Sequence, residues 1–124
     1  MKIKLPIVTK DELKDGKRVF EYEEREVVFN NTISCQMRWE SCFPELAKRE
    51  SVIDYAARVR ELEGRSVGVL ISEMKVVYCF LELDMPFTEF IKLFDFSQKE
   101  YVEKLIAKIK EAFDVIFDTA SEKN

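Results

Sequence analysis

The chain has 124 residues, with 20 basic and 24 acidic side chains, 47% apolar residues and 10 Phe, 4 Tyr and 1 Trp. That length suits one domain, and the composition is too apolar and aromatic for intrinsic disorder. The chain contains no histidine; the commonest general acid/base, the commonest zinc ligand and every His-dependent nucleophile triad are thereby excluded. Neither half is basic enough to suggest a nucleic-acid partner.

Only 3 Gly and 3 Pro are present. So little turn chemistry argues against many short strands and for long helices. The expected fold class is mainly α (α+β), a helical bundle of about four to five helices with a small N-terminal β-hairpin. The chain is expected to form a single domain, residues 1–124, with a β-rich element over 1–30, a helical part over 31–118 and a frayed tail over 119–124. No apolar run is long enough to span a membrane and the N-terminus lacks a signal-peptide core, so a soluble cytosolic protein is expected.

Residues 3–8 have extended character, with Pro6 confining any strand there to an edge. Asp15-Gly16 is a turn pair. From Val19 to Phe29 the apolar phase slips across Glu23-Glu24-Arg25-Glu26, which predicts two short strands or one bulged strand. Residues 33–40 alternate apolar and polar as a strand would. Cys35, Trp39, Cys42, Phe43 and Leu46 also fall on one helical stripe, with Asn31 or Thr32 as N-cap, and helix is the preferred reading. Pro44 should interrupt it and open a further helical turn.

Ser51 to Asp54 resembles a capping box; Val52, Tyr55, Ala56, Val59 and Leu62 follow at helical spacing towards Gly64 as C′ residue. Ser66 to Met85 is nearly free of charge. Leu70, Ile71, Met74, Val77, Tyr78, Leu81 and Met85 keep helical spacing while other apolar residues cover the remaining sides, which predicts a central buried helix ended by Pro86. A β-hairpin turning at residues 72–75 is the rival, without turn residues to support it. Phe87, Phe90, Ile91 and Phe94 form a short amphipathic helix. Ser97 to Glu100 matches a capping box before a stripe of Val102, Leu105, Ile106, Ile109, Phe113, Ile116 and Phe117.

Carboxylate pairs such as Glu23-Glu24 and Glu61/Glu63 read as solvated faces. The isolated glycines offer no phosphate loop. Cys35, Cys42 and Cys79 lack the spacing of a zinc site and are read as reduced thiols, so no catalytic, cofactor-binding or metal-binding residue is assigned. Cys42 as a nucleophile would lack the usual activating base. The stripe Phe87, Phe90, Phe94 and Phe96 reads as core or, less directly, as a partner surface. Arg38-Trp39-Glu40 carries residue types enriched in binding hot spots, and Trp39 reads either as an anchor to the core or as a partner contact.

Gln36-Met37-Arg38-Trp39-Glu40, followed by Phe43-Pro44, Ala47, Glu50 and Tyr55, resembles the segment Q-x-R-W-E-x-x-F-P-x-x-A-x-x-E-x-x-x-x-Y of small tail assembly chaperones of long-tailed phages and prophages. The match covers about twenty positions, and the remainder is similar in layout. The resemblance implies a non-enzymatic protein of the bacterial host cytoplasm without cofactors. Such a protein binds the tape measure protein and keeps it soluble until tail tube subunits polymerise around it. A longer frameshifted form would recruit the tail tube protein. The residues assigned to partner binding are Arg38, Trp39, Glu40, Phe43 and Pro44, with Arg38 and Glu40 as rim charges; neither nucleic acid nor membrane is an expected partner, and self-association is left open. The competing expectation is a small cytosolic adaptor or regulatory interaction domain without a phage role.

Overall fold

A computed structural model of the chain describes residues 2–29, 32–62 and 66–121, with the side chains of Thr32 and of residues 119–121 outside the description. Two long antiparallel strands come first, β1 (Lys2–Lys14) and β2 (Lys17–Val28). They turn at Asp15 and Gly16, whose φ values of 53° and 75° are those of a two-residue I′ turn, where glycine adopts positive φ without steric cost. Helices follow: α1 (Thr32–Cys42), α2 (Pro44–Ala47), α3 (Val52–Arg60), α4 (Val67–Phe80), α5 (Phe87–Phe90) and α6 (Lys99–Ser121), with a 3-10 turn at Ile91–Leu93.

This is an α+β fold, and the expectation of a mainly α bundle with a small hairpin is corrected. The strands are 13 and 12 residues long, and two of the six helices among the described residues are single turns. The reason lies in the outer half of the hairpin. From Thr9 to Arg18 every residue is exposed, so no apolar alternation betrays the strands there. The phase slip is also placed elsewhere than expected: β2 is continuous through its charged run, and the register shift falls between Val8 and Lys10 of β1, leaving Thr9 as the extra residue. The hairpin packs both faces, at different heights. Ile3, Leu5 and Ile7, buried, share one face with Val27; Pro6, Val8, Phe20 and Tyr22 lie on the other, where Tyr101 of α6 meets the two β2 rings edge-on at 5.3 and 5.1 Å.

Residues 33–40 are helical, as preferred, and Cys35 and Trp39 point inward. The Asn31 and Thr32 cap reading and the Gly64 C′ reading lie outside the described residues and side chains. Pro44 is the first residue of α2, after Phe43 in a non-helical conformation. Ser51 caps α3 by accepting from the Asp54 N–H at 3.1 Å, and Val52, Tyr55, Ala56 and Val59 are buried beneath it, while Leu62 is exposed.

The central helix α4 is buried on nearly all sides, but it stops at Phe80 instead of continuing to Met85. Leu81 forms an antiparallel bridge with Phe29, and the Glu82 N–H donates to the Val28 carbonyl at 3.4 Å. Tertiary pairing thus draws this apolar segment into extended backbone despite its helical spacing. Before α6, the expected Ser97 capping box is replaced by Asp95, whose Oδ2 accepts from the N–H groups of Ser97 and Gln98 at 3.0 and 2.8 Å. The helix runs to Ser121, and residues 122–124 of the expected tail lie outside the described residues.

Phe90 and Phe94 are buried and Phe87 and Phe96 half-buried, which places the aromatic stripe in the core. Tyr101 and Ala112 join the α6 stripe. No helix among the described residues is long and apolar enough to cross a membrane.

Candidate functional site

Trp39 is 0% exposed. Its ring lies 4.8 Å from Tyr55 and 5.4 Å from Phe43, and its indole N–H donates to the Glu50 carbonyl at 3.1 Å. Of its two readings, the core anchor describes its position. Arg38, expected as a rim charge, is half-buried and makes internal hydrogen bonds. Its two terminal nitrogens donate to the Leu81 and Leu83 carbonyls at 2.7 and 2.8 Å, and its guanidinium lies 4.2 Å over the Tyr78 ring. Both carbonyls lie just beyond the end of α4, so Arg38 satisfies backbone acceptors of the extended chain that leaves the helix.

The rest of the motif closes around these two. Gln36 accepts from the Val52 N–H at 2.9 Å and donates to Glu40 at 3.3 Å. Glu50 accepts from Arg58 at 2.6 and 3.0 Å, and the Arg58 guanidinium lies 5.1 Å over Tyr55. Phe43, half-buried, meets Tyr78 and Phe87 edge-on at 6.3 and 5.2 Å. Tyr78 donates to the Met85 carbonyl at 2.6 Å. Gln36, Arg38, Trp39, Phe43, Glu50 and Tyr55 are therefore one interlocked unit that fastens α1 to α3 and to the chain leaving α4. Among the assigned partner-binding residues, Glu40 and Pro44 are exposed and Phe43 is half-exposed.

The outer face of α1 carries what this reading of the site missed. Ile33 and Met37, one turn apart, are 75% and 67% exposed. They sit opposite Cys35 and Trp39, and Ser34, Glu40 and Ser41 share the exposed side. The signal was in the strict alternation of residues 33–40: once that segment is a helix, an alternating pattern must leave some of its apolar residues on the outside.

Cys35 and Cys79 are buried and Cys42 is exposed, all as free thiols. Burial, reinforced by the neighbouring Cys79, pushes the Cys35 thiol well up against a smaller opposing pull from Arg38. Burial likewise pushes Cys79 up to about 12. Both are inert thiols at neutral pH. A cleft of about 260 Å³ is lined by Arg60, Glu73, Lys110, Phe113 and Asp114, away from the motif. Among the described residues, no group of three or more Cys, Asp or Glu side chains is placed to hold a metal ion.

Fold and site together define an α+β protein whose most distinctive sequence segment is an internal clasp between helices. No family model matches the chain, and comparison with curated proteins and with solved structures finds no match either.

Proposed function

We propose that this protein is a tail assembly chaperone of a long-tailed phage or prophage, a non-enzymatic protein that binds the tape measure protein in the bacterial host cytoplasm and keeps it soluble until the tail tube forms. The observation that carries this reading is the clasp. The residues shared with the chaperone segment, Gln36, Arg38, Trp39, Phe43, Glu50 and Tyr55, are the ones that hold α1, α3 and the end of α4 together. A resemblance over such positions is one of architecture, more informative than one over solvated side chains.

With Arg38 and Trp39 occupied internally, the client contact falls to the outer side of α1, where Ile33 and Met37 are exposed beside Glu40, with Pro44 exposed just beyond the helix. An amphipathic client helix would lay its apolar side along this face. Each large side chain buried contributes about 1.5–3 kcal/mol, so a weak contact repeated along a long client gives avidity without a tight single site.

Co-expression with a tape measure protein tests the function. The client should become soluble and co-purify with many copies of the chain, and a client that stays insoluble overturns the proposal. Replacing both Ile33 and Met37 by Ser should leave the thermal melt unchanged and abolish capture; unaltered capture would move the contact elsewhere.

A further inference from the structure

The long hairpin leaves one strand edge open. In an antiparallel ladder, opposed residues alternately direct their backbone N–H and C=O groups at each other or away from the pair. Three observations fix which residues of β2 point away. The I′ turn makes Lys14 and Lys17 the closing hydrogen-bonded pair, so Arg18 and Phe20 face outward. Pro6, which has no N–H, is opposite Glu24, and its carbonyl accepts from the Tyr101 hydroxyl at 2.5 Å instead of from β2. The Val28 carbonyl accepts from Glu82, outside the hairpin. The outward-facing residues of β2 are therefore Arg18, Phe20, Tyr22, Glu24, Glu26 and Val28.

The two edges are managed differently. The outer edge of β1 meets α6 through Tyr101, whereas β2, whose rings pack on α6 with one face, has no strand beyond it in the two-stranded sheet of the described residues. Among the described residues, the outward backbone hydrogen bond of β2 is the one at its end, from Glu82 in the segment after α4 to Val28. At Phe20, Tyr22, Glu24 and Glu26 the backbone groups point away from β1, and the side chains of Glu21, Glu23, Glu24 and Glu26 are exposed; Glu23 pairs with Arg25, Glu26 with Lys2 at 3.3 Å and Glu24 with Lys108 at 4.0 Å, surface ion pairs that an incoming cation can exchange with at little cost.

A strand edge rich in carboxylates disfavours some partners and favours others. A second copy is the wrong occupant, because antiparallel registers centred on Tyr22, Glu23, Glu24 or Arg25 each set like charges directly opposite, which destabilises pairing. We propose that the open edge of β2 takes up an extended, lysine- or arginine-rich peptide segment as a third strand, with the N–H and C=O groups of Tyr22 and Glu24 pairing to its backbone and Glu21, Glu23, Glu24 and Glu26 to its cations. Main-chain bonds supply the affinity and the carboxylates the sequence preference, the logic of strand addition.

The experiment is a titration of the full chain, observed by amide NMR, with a synthetic heptapeptide alternating lysine and valine, and separately with its glutamate counterpart. The lysine peptide should shift the Phe20, Tyr22, Glu24 and Glu26 amides and slow their hydrogen exchange, and the glutamate peptide should bind about tenfold more weakly. Glu24→Pro removes one outward donor without touching the β1–β2 ladder and should abolish the response at an unchanged melting temperature. The double substitution Glu24→Lys and Glu26→Lys keeps every backbone donor and should reverse the peptide preference. Equal response to both peptides, no response at millimolar peptide, or shifts confined to other elements overturns the proposal. So does concentration-dependent dimerisation that protects these amides in the free chain, which would give the edge to a second copy.

Discussion

The indole N–H of Trp39 donates to the main-chain carbonyl of Glu50 at 3.1 Å, across the gap between α1 and the start of α3. The same Glu50 accepts from Arg58 through its side chain, so one residue receives α1 through its backbone and ties down α3 through its carboxylate. Trp39 is the single tryptophan of the chain and is fully buried, which makes this contact both a keystone of the clasp and its natural optical probe.

Trp39→Ala should cost about 3–5 kcal/mol, the usual loss on truncating a buried large aromatic. Trp39→Phe should lose less, because it keeps the ring between Tyr55 and Phe43 and forfeits only the donor to Glu50. Urea unfolding followed by circular dichroism ranks the three proteins. In the wild type, the tryptophan emission should shift to the red in the same transition, since a dry indole becomes hydrated.

Arg38→Lys should destabilise nearly as much as Arg38→Ala, by about 2–3 kcal/mol, despite keeping the charge. Two carbonyls, Leu81 and Leu83, are held by separate guanidinium nitrogens while the plane of the group lies over Tyr78. An ammonium reproduces neither the fork nor the stacking, and a buried carbonyl left without a donor incurs its full desolvation cost. The extra amide exchange in Arg38→Lys should concentrate at Leu81 and Glu82, where the bridge to the hairpin depends on that support.

A thiol-directed reagent should label one cysteine in the native protein and three after denaturation. Cys42 is exposed, whereas Cys35 and Cys79 are buried with thiols pushed up by burial. Mass spectrometry of the digested product should find the native label on the peptide containing Cys42. Rapid native labelling of Cys79 would show that α4 opens locally.

Stability should fall as the medium is acidified into the carboxylate range. Burial works to raise the Asp95 carboxyl, but the N–H groups of Gln98 and Ser97, the Ser97 hydroxyl and Arg18 together hold it below its ordinary value; the side-chain bond from Arg18 does the same for Asp11. A carboxylate with a lowered folded-state pKa stabilises the fold above its unfolded pKa of about 4, and that contribution disappears as pH falls through the folded value. Asp95→Asn should flatten the acid limb of a plot of melting temperature against pH. It should also cost about 1 kcal/mol at neutral pH, as expected for a weakened helix-start acceptor.

Much of the helical half was legible because its apolar residues recur with a helical period and its breaks carry chemical markers. Ser51 marks the start of α3, Pro44 the start of α2, and Leu105, Ile109, Phe113 and Ile116 trace one face of α6. Where two periods overlapped, at residues 33–40, composition could only favour the helix. The outer hairpin was illegible for the opposite reason: a strand exposed on both faces has no hydrophobic period, and only the Asp15-Gly16 turn signalled it.

What the sequence by itself determined is local: absence of histidine chemistry, turn and cap positions, and the apolar faces of α3, α4 and α6. Tertiary structure decided the rest. It ended α4 at Phe80, where Leu81 found a strand partner in Phe29 and Arg38 took up the Leu81 and Leu83 carbonyls of the extended segment beyond. It also turned Arg38 and Trp39, residue types that read equally as a surface hot spot, into the interior of a clasp. An indole or a guanidinium has the same chemistry in either setting; only the placement of Glu50, Tyr55 and Tyr78, each contributed by a different part of the chain from α1, determines which side of the surface it occupies.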